Sequence, residues 1–262
     1  MIFNFKKKNV FISGGTHGIG LECSLRFAQL GANIITFSRD KKKINNLIKK
    51  LGKFKKIDYL VEQGDILNKE FPKNFSHRVL KKFKSVDILI HNVGGGGRWG
   101  KDDISSTPTE TWYEVFGKNN FGLIEFSKYF LPNMVKKKWG RIIAISSICG
   151  YEVSKDDRPW FSGAKSFQNA VIKTFSKKHI YTRKNITFNS VLPGPIFIPN
   201  TGWDKLKKNY PEKYKKDINN IPTGRIGKPE DVVNSCIFLS SKYASYINGV
   251  NLIIDGGITN KI

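Results

Sequence analysis

Cysteine is scarce in this chain: Cys23, Cys149 and Cys236 are the only three thiols in 262 residues. They stand far apart in sequence, two of them in apolar stretches of helical character. That excludes a disulfide framework and a cysteine-based metal centre, and it suits reduced thiols in a cytoplasm. No metal is therefore expected. No apolar run approaches the roughly 20 residues that cross a bilayer, and the opening Met1–Lys8 shows neither an h-region nor a cleavage site. Neither a membrane span nor a secretory leader is expected, and internal repeats are absent. Acid is short as well: 21 Asp and Glu stand against 45 Lys and Arg, for a net charge of +24.

So large a positive charge raises the question of nucleic acid, which is usually met by one basic face or a recognition motif. Here the lysines fall in small clusters throughout, such as Lys41–Lys43, Lys136–Lys138, Lys207–Lys208 and Lys215–Lys216. They coincide with expected helix ends and connections, so a solvated basic surface is expected and no nucleic-acid partner. An attraction for anionic small molecules fits the same charge.

What the chain does have is one informative stretch, Ser13-Gly14-Gly15-Thr16-His17-Gly18-Ile19-Gly20. It follows the apolar run Val10–Ile12 and runs into a segment from Leu21 with apolar residues at helical spacing. A strand, a glycine-rich turn and a helix make a cradle for a pyrophosphate, because the glycines admit a tight turn and the helix N-terminus offers free N–H groups. The spacing is G-x-x-x-G-x-G, with a longer first gap than G-x-G-x-x-G.

Apolar strands then alternate with helical stretches. Strands are expected at 33–38, 58–65, 86–92, 141–147, 186–192 and 249–257, with helices at 41–51, 76–83, 110–138, from Pro159, and at 229–239. The length and alternation predict one α/β domain over 1–262, a doubly wound, seven-stranded parallel sheet with helices on both faces. Ligands bind such sheets at the carboxyl ends of the strands, where Ser38, Asp65, Asn92 and Ser147 fall. At the end of the second strand an acid would hold an adenosine ribose, whereas Ser38-Arg39 suits a 2′-phosphate, with His17 a second contact. NADP is therefore expected in preference to NAD. Asp65 either accepts from an adenine amino group or caps the following turn. The basic, aromatic stretch 196–222 carries Trp203, Tyr210 and Tyr214 among six lysines.

These motifs together resemble the short-chain dehydrogenase/reductase family over nearly the whole length. Ser13-Gly14…Gly18-Ile19-Gly20 resembles its T-G-x-x-x-G-I-G, His91-Asn92-Val93-Gly94 its N-N-A-G, and Ser147-Ile148-Cys149-Gly150 its catalytic-serine loop. Asn119, Lys165, Pro193-Gly194, Arg225…Pro229-Glu230-Asp231 and Asp255-Gly256-Gly257 fall at its remaining signatures. The resemblance implies a Rossmann-type domain that reduces carbonyls or oxidises alcohols with a nicotinamide cofactor. It implies catalytic positions at Asn119, Ser147, Phe161 and Lys165. It implies cofactor contacts from Gly14, Thr16, His17, Gly18, Ile19, Gly20, Ser38, Arg39, Asp65, Ile66, Asn92, Gly94, Lys165, Pro193, Gly194 and Ile196. A lid over the substrate at 196–222 and a homodimer or homotetramer are expected on the same ground. In the family the serine holds the substrate oxygen, a tyrosine moves its proton, the lysine binds the nicotinamide ribose, and the asparagine supports a water-linked relay.

Phe161 departs from that pattern, since the ring is kept and the phenol is lost. Removing a positioned acid costs about 10²–10⁴-fold in rate. Three readings fit: an introduced Tyr-to-Phe change, another proton source such as Tyr151 or a water held by Ser147, or a nucleotide-binding chain without turnover. His77, with no motif around it, and His179, late in the Phe161 helix, are expected as surface or packed histidines rather than bases; His91 is expected to support strand-end packing. Arg98, Trp99, Arg158 and Trp160 flank the expected substrate cleft.

Overall fold

A computed structural model describes residues 3–96, 103–153 and 158–261; Arg98 and Trp99 lie outside them. Seven strands, β1 (Asn9–Ser13), β2 (Asn33–Ser38), β3 (Tyr59–Gln63), β4 (Ile88–His91), β5 (Gly140–Ile145), β6 (Ile186–Pro193) and β7 (Asn251–Ile254), form a single sheet. Its order is β3-β2-β1-β4-β5-β6-β7, and every pairing is parallel. The order reverses between β1 and β4, and the crevice outside the carboxyl ends of those two strands is where such sheets take ligands.

Both sheet faces are covered, which is why the strands read as continuous apolar runs rather than alternating ones. Along β1, Val10 and Ile12 face α1 (Gly18–Gln29), α2 (Lys41–Leu51) and α9 (Pro229–Ser240), among Phe27, Leu47 and Val233. Phe11 faces the other way, toward α3 (Phe71–Phe83), α4 (Thr109–Lys137) and α5 (Pro159–Phe175). There its ring meets Phe126 at 4.4 Å and Phe130 at 5.0 Å. Each such fully buried side chain contributes about 1.5–3 kcal/mol.

Several boundaries differ from the sequence expectation. Helix α3 begins at Phe71 instead of Ser76, because Phe71 and Phe75 stack (5.3 Å, 13°) against Phe37. Helix α1 begins at Gly18, so the last glycines of the turn lie within its first turn. Strand β5 stops at Ile145, leaving Ser146 and Ser147 beyond the sheet, and β7 is confined to 251–254. His179 opens a separate short helix, α6 (His179–Thr182), and is exposed. Cys23 and Cys236, remote in sequence, are brought together by the packing of α1 on α9; both are buried, and their contact with burial raises the Cys23 thiol well above its ordinary range.

The stretch 196–222 folds as α7 (Gly202–Asn209) and α8 (Pro211–Asn219) between two buried anchors, Ile196 and Ile221. Its six lysines are exposed. Lys208 pairs with the buried Asp204 (2.9 Å) and Lys215 with Glu212 (2.9 Å). Among the described residues no helix is long and apolar enough to cross a membrane, and no group of His, Cys, Asp or Glu could hold a metal ion.

Candidate active site

The glycine turn is braced from three sides. The Gly15 N–H donates to Thr36 Oγ1 (2.7 Å) on β2, and Ser24 Oγ donates back to the Gly15 carbonyl (2.9 Å). Asn92 Nδ2, just past β4, donates to the carbonyls of Ser13 (3.1 Å) and Gly14 (3.2 Å). Gly14 sits at φ 68°, and a Cβ on Gly20 would lie 2.3 Å from the Gly14 carbonyl oxygen. The turn therefore closes only with glycine at both places. His17 is the N-cap of α1 in extended backbone, with no side-chain cap, so the helix's first N–H groups stay uncapped by its ring. Burial is the main cause holding the His17 imidazole below its usual range, followed by Lys43. Thr16 is buried within the same turn.

At the end of β2, Ser38 Oγ accepts from the Asp40 N–H (3.3 Å), and Asp40 caps α2. Arg39 is exposed, its guanidinium 3.7 Å from the Asp65 carboxylate. Asp65 also accepts from the Leu67 N–H (3.0 Å), so of the two sequence readings its capping of the turn is visible. Ile66 is buried against Gly122 of α4. A cation that sequence reasoning missed, Lys118, is buried on α4 and lies within the fields of Arg39 and Asp65. Burial lowers its pKa first, and Arg39 lowers it further.

The other half of the site gathers around Lys165. Its residue is 3 % exposed, and its ammonium donates to the Ile145 carbonyl at the end of β5 (2.9 Å) and to Gln168 Oε1 (3.2 Å). A Cβ built on Gly94 would lie 3.2 Å from Nζ and 2.5 Å from Asn119 Oδ1, which places both under the loop after β4. Asn119 is wholly buried; its Nδ2 donates to the Gly95 (2.8 Å) and Val115 (2.7 Å) carbonyls, fixing that loop. Burial pushes Lys165 from its usual value down to about 7, with Cys149 as an opposing influence.

Ser147 caps the short turn 148–150, accepting from the Cys149 N–H (3.2 Å). That turn docks on α5 because Ser166 Oγ and Asn169 Nδ2 each donate to the Gly150 carbonyl at 3.1 Å. Phe161 stands one helical turn before Lys165, its ring centroid 5.9 Å from Nζ, in an aromatic cluster with Trp112, Phe116 and Trp160. Trp160 Nε1 donates to the Gly96 carbonyl (3.3 Å), tying α5 to the glycine loop. Tyr151 lies under the C-terminal segment, with Lys261 Nζ 5.2 Å from its ring centroid and bonded to its carbonyl.

Past β6, Gly194 bonds to the Ile254 carbonyl (2.9 Å) after Pro193. The Ile196 side chain is buried in the core against Gly227, whose absent side chain leaves it room, and the two residues form a parallel bridge. Ile198 instead packs on Gly18 of the turn, a contact no local sequence signal announces. His91 is buried with its pKa lowered to about 3 by burial, hence neutral. His77 is exposed on α3, its ring 5.6 Å from that of Tyr129.

Comparison with known proteins places this geometry. The family model described as Enoyl-(Acyl carrier protein) reductase matches residues 14–259. The chain is 31% identical to the 3-oxoacyl-[acyl-carrier-protein] reductase of Thermotoga maritima over 254 residues, 96% of this chain and 97% of that one. It is also 31% identical to the 7alpha-hydroxysteroid dehydrogenase of Paraclostridium sordellii, over 96% of this chain and 92% of that one. Among solved structures, the L-sorbose reductase of Gluconobacter frateurii, complexed with NADPH and L-sorbose, superposes with a TM-score of 0.89 at 25% identity, covering both chains completely (100% each). The glycine turn at the β1/β4 switch, the buried lysine one turn after Phe161, and matches over nearly the full length lead to one conclusion: the chain belongs to the short-chain dehydrogenase/reductase family of oxidoreductases.

Proposed function

We propose that this protein is a cytoplasmic, NADP(H)-dependent oxidoreductase acting on the carbonyl or secondary alcohol of a small, anionic or sugar-linked substrate. The observation that carries the reading is the Lys165 ammonium, buried at the carboxyl edge of the sheet with one N–H left uncommitted among the described residues. A nicotinamide dinucleotide fits the residues present, because the turn presents uncapped N–H groups and the Gly94 backbone, where a Cβ would strike Asn119, lies directly against Asn119 and Lys165. Gly14, Thr16, Gly18, Ile19 and Gly20 would hold the pyrophosphate, Ser38 and Arg39 the 2′-phosphate, and Lys165 the nicotinamide ribose, with Asn92 bracing the turn. When bound, the nicotinamide supplies or takes the hydride.

The chain's own residues then have limited tasks. Ser147 Oγ is used as an acceptor by Cys149, so its own proton is available to a substrate oxygen. Phe161 shapes the cleft without donating a proton. Lys165, with a pKa of about 7, exists in both protonation states near neutrality and can carry one. Arg39 and the buried Lys118 set two cations at the adenosine end, beside the carboxylates of Asp65 and Glu114, and a 2′-phosphate would find charged partners there. Tyr113 and Phe121 on α4 and Phe167 on α5 are exposed, with Phe116 bridging the last two at 5.9 and 4.9 Å; this aromatic face is where a second copy would dock.

The test is a fluorescence titration with NADPH and NADH. NADPH should bind about tenfold or more tightly, and Arg39→Asp should erase that preference; tighter NADH binding by the wild type overturns the cofactor assignment. Turnover is assayed on a panel drawn from the relatives' chemistry: a 3-oxoacyl thioester, a hydroxysteroid and a ketose. One observation, the missing phenol at Phe161, favours a second reading, a nucleotide-binding chain without turnover. It predicts tight NADPH binding and no reaction with any member of the panel.

A further inference from the structure

One chain of buried hydrogen bonds runs from the lysine to the glycine turn. Lys165 Nζ donates to Gln168 Oε1 (3.2 Å), and Gln168 Nε2 donates to the Asn119 carbonyl (2.8 Å). The same carbonyl lies 2.8 Å from His91 Nε2, and His91 Nδ1 lies 3.1 Å from Ser13 Oγ. Lys165, Gln168, Asn119, His91 and Ser13 are all at most 3 % exposed.

The direction of every bond is dictated by chemistry. An ammonium only donates and a carbonyl only accepts, so Gln168 must turn its oxygen to Lys165 and its nitrogen to Asn119. Ser13 Oγ already accepts the N–H groups of Asn92 (2.9 Å) and Val93 (3.0 Å), so its proton goes to His91 Nδ1. The neutral imidazole then carries its hydrogen on Nε2 and gives it to Asn119. Nothing in this sequence of bonds can accept a proton from the lysine. An amide side chain does not ionise near neutrality, and the carbonyl beyond it already meets two donors.

We propose that Gln168 is a positioning residue for Lys165: its amide ties the ammonium to the Asn119 carbonyl and closes the inner side of the lysine to proton exchange. The proton that Lys165 can trade is then the third one, on the side of the Gly94 loop. Its functional meaning rests on the reductase reading above, but its test does not. Among the described residues, the titratable groups that act on the ammonium are neutral His91 at the end of β4 and Cys149 in the serine turn.

The experiment observes lysine 15Nζ resonances of the cofactor-free protein, with Lys165 assigned by its loss in Lys165→Met. In the wild type its midpoint should lie near 7, with Nζ protons exchanging at least about tenfold more slowly than those of exposed lysines. Gln168→Glu sets a carboxylate beside the ammonium and should raise the midpoint by about one pH unit or more. Gln168→Met, nearly equal in volume, removes the acceptor and should lower the midpoint and speed exchange. A residue that merely fills space would leave both unchanged in a folded Gln168→Met, and that result overturns the proposal. If the Gln168→Met variant does not fold, an unmoved midpoint in Gln168→Glu overturns it equally, and so does wild-type exchange at the rate of exposed lysines. Failure to bind NADPH would sink the reductase reading while leaving these titrations intact, so the two failures are distinguishable.

Discussion

Replacing Phe161 by tyrosine adds one oxygen to a ring whose centroid already lies 5.9 Å from the Lys165 ammonium. The ring is half-buried among Trp112, Phe116 and Trp160, so the volume change is one hydroxyl and the NADPH affinity should stay within about twofold. At that separation, and with an effective dielectric constant of about 20, a phenolate and an ammonium attract by ~3 kcal/mol. That would lower the phenol's pKa by about two units, from ~10 toward ~8. The opposing influence is the lysine's own titration near 7, which removes part of the positive charge at working pH. A positioned acid of this kind contributes about 10²–10⁴-fold. NADPH oxidation with at least one carbonyl of the panel should therefore rise about a hundredfold or more in Phe161→Tyr. The assay is steady-state loss of NADPH absorbance, with kcat and KM measured separately. The gain belongs in kcat, because the new bond is made only as charge develops on the substrate oxygen. A wild type that turns over well, beside a Phe161→Tyr variant that does not improve on it, refutes the reasoning and moves the proton source to Lys165 or Tyr151.

Three further outcomes follow from the geometry. His91 is neutral and buried with a folded pKa of about 3, so the unfolded chain binds more protons between there and its ordinary value near 6.5. That contribution to stability is full above pH ~6.5 and is lost as pH falls, by several kcal/mol in the limit; urea melts between pH 4 and 7 should show a steeper acid loss for the wild type than for His91→Asn, and parallel curves would refute the assignment. Neutralising Lys205, Lys207 and Lys208 of α7 should raise KM for anionic members of the panel by a few-fold with kcat unchanged, and no change in KM would end the anionic-substrate idea. Phe121→Lys should shift the protein toward monomer in light scattering, since it places a charge on the aromatic face shared with Phe116 and Phe167; an unchanged mass would put the contact elsewhere.

The glycine turn, the alternation of apolar strands with helices, and hence the doubly wound sheet were all legible in the sequence. Each rests on local chemistry: a glycine where a Cβ would strike Gly14, or an apolar run too continuous for a half-exposed strand. Phe161 and Lys165 were legible for the same reason, as they lie one turn apart on one helix. What the sequence could not show is which distant residues share a buried polar bond. Gln168 and Asn119 are 49 residues apart, and His91 and Ser13 are 78 apart. Their meeting depends on β1 lying beside β4 and on α4 packing against α5. Lys118 pairs locally with Glu114 one turn earlier, and it gave no signal of a wider role because its burial and the influence of Arg39 come from other elements. Ile198 was silent because its partner, Gly18, lies near the opposite end of the chain. Turns and periodicities are decided by a few neighbouring residues, whereas the pairing of buried donors with acceptors is decided by sheet order and register, and only the tertiary structure supplies those.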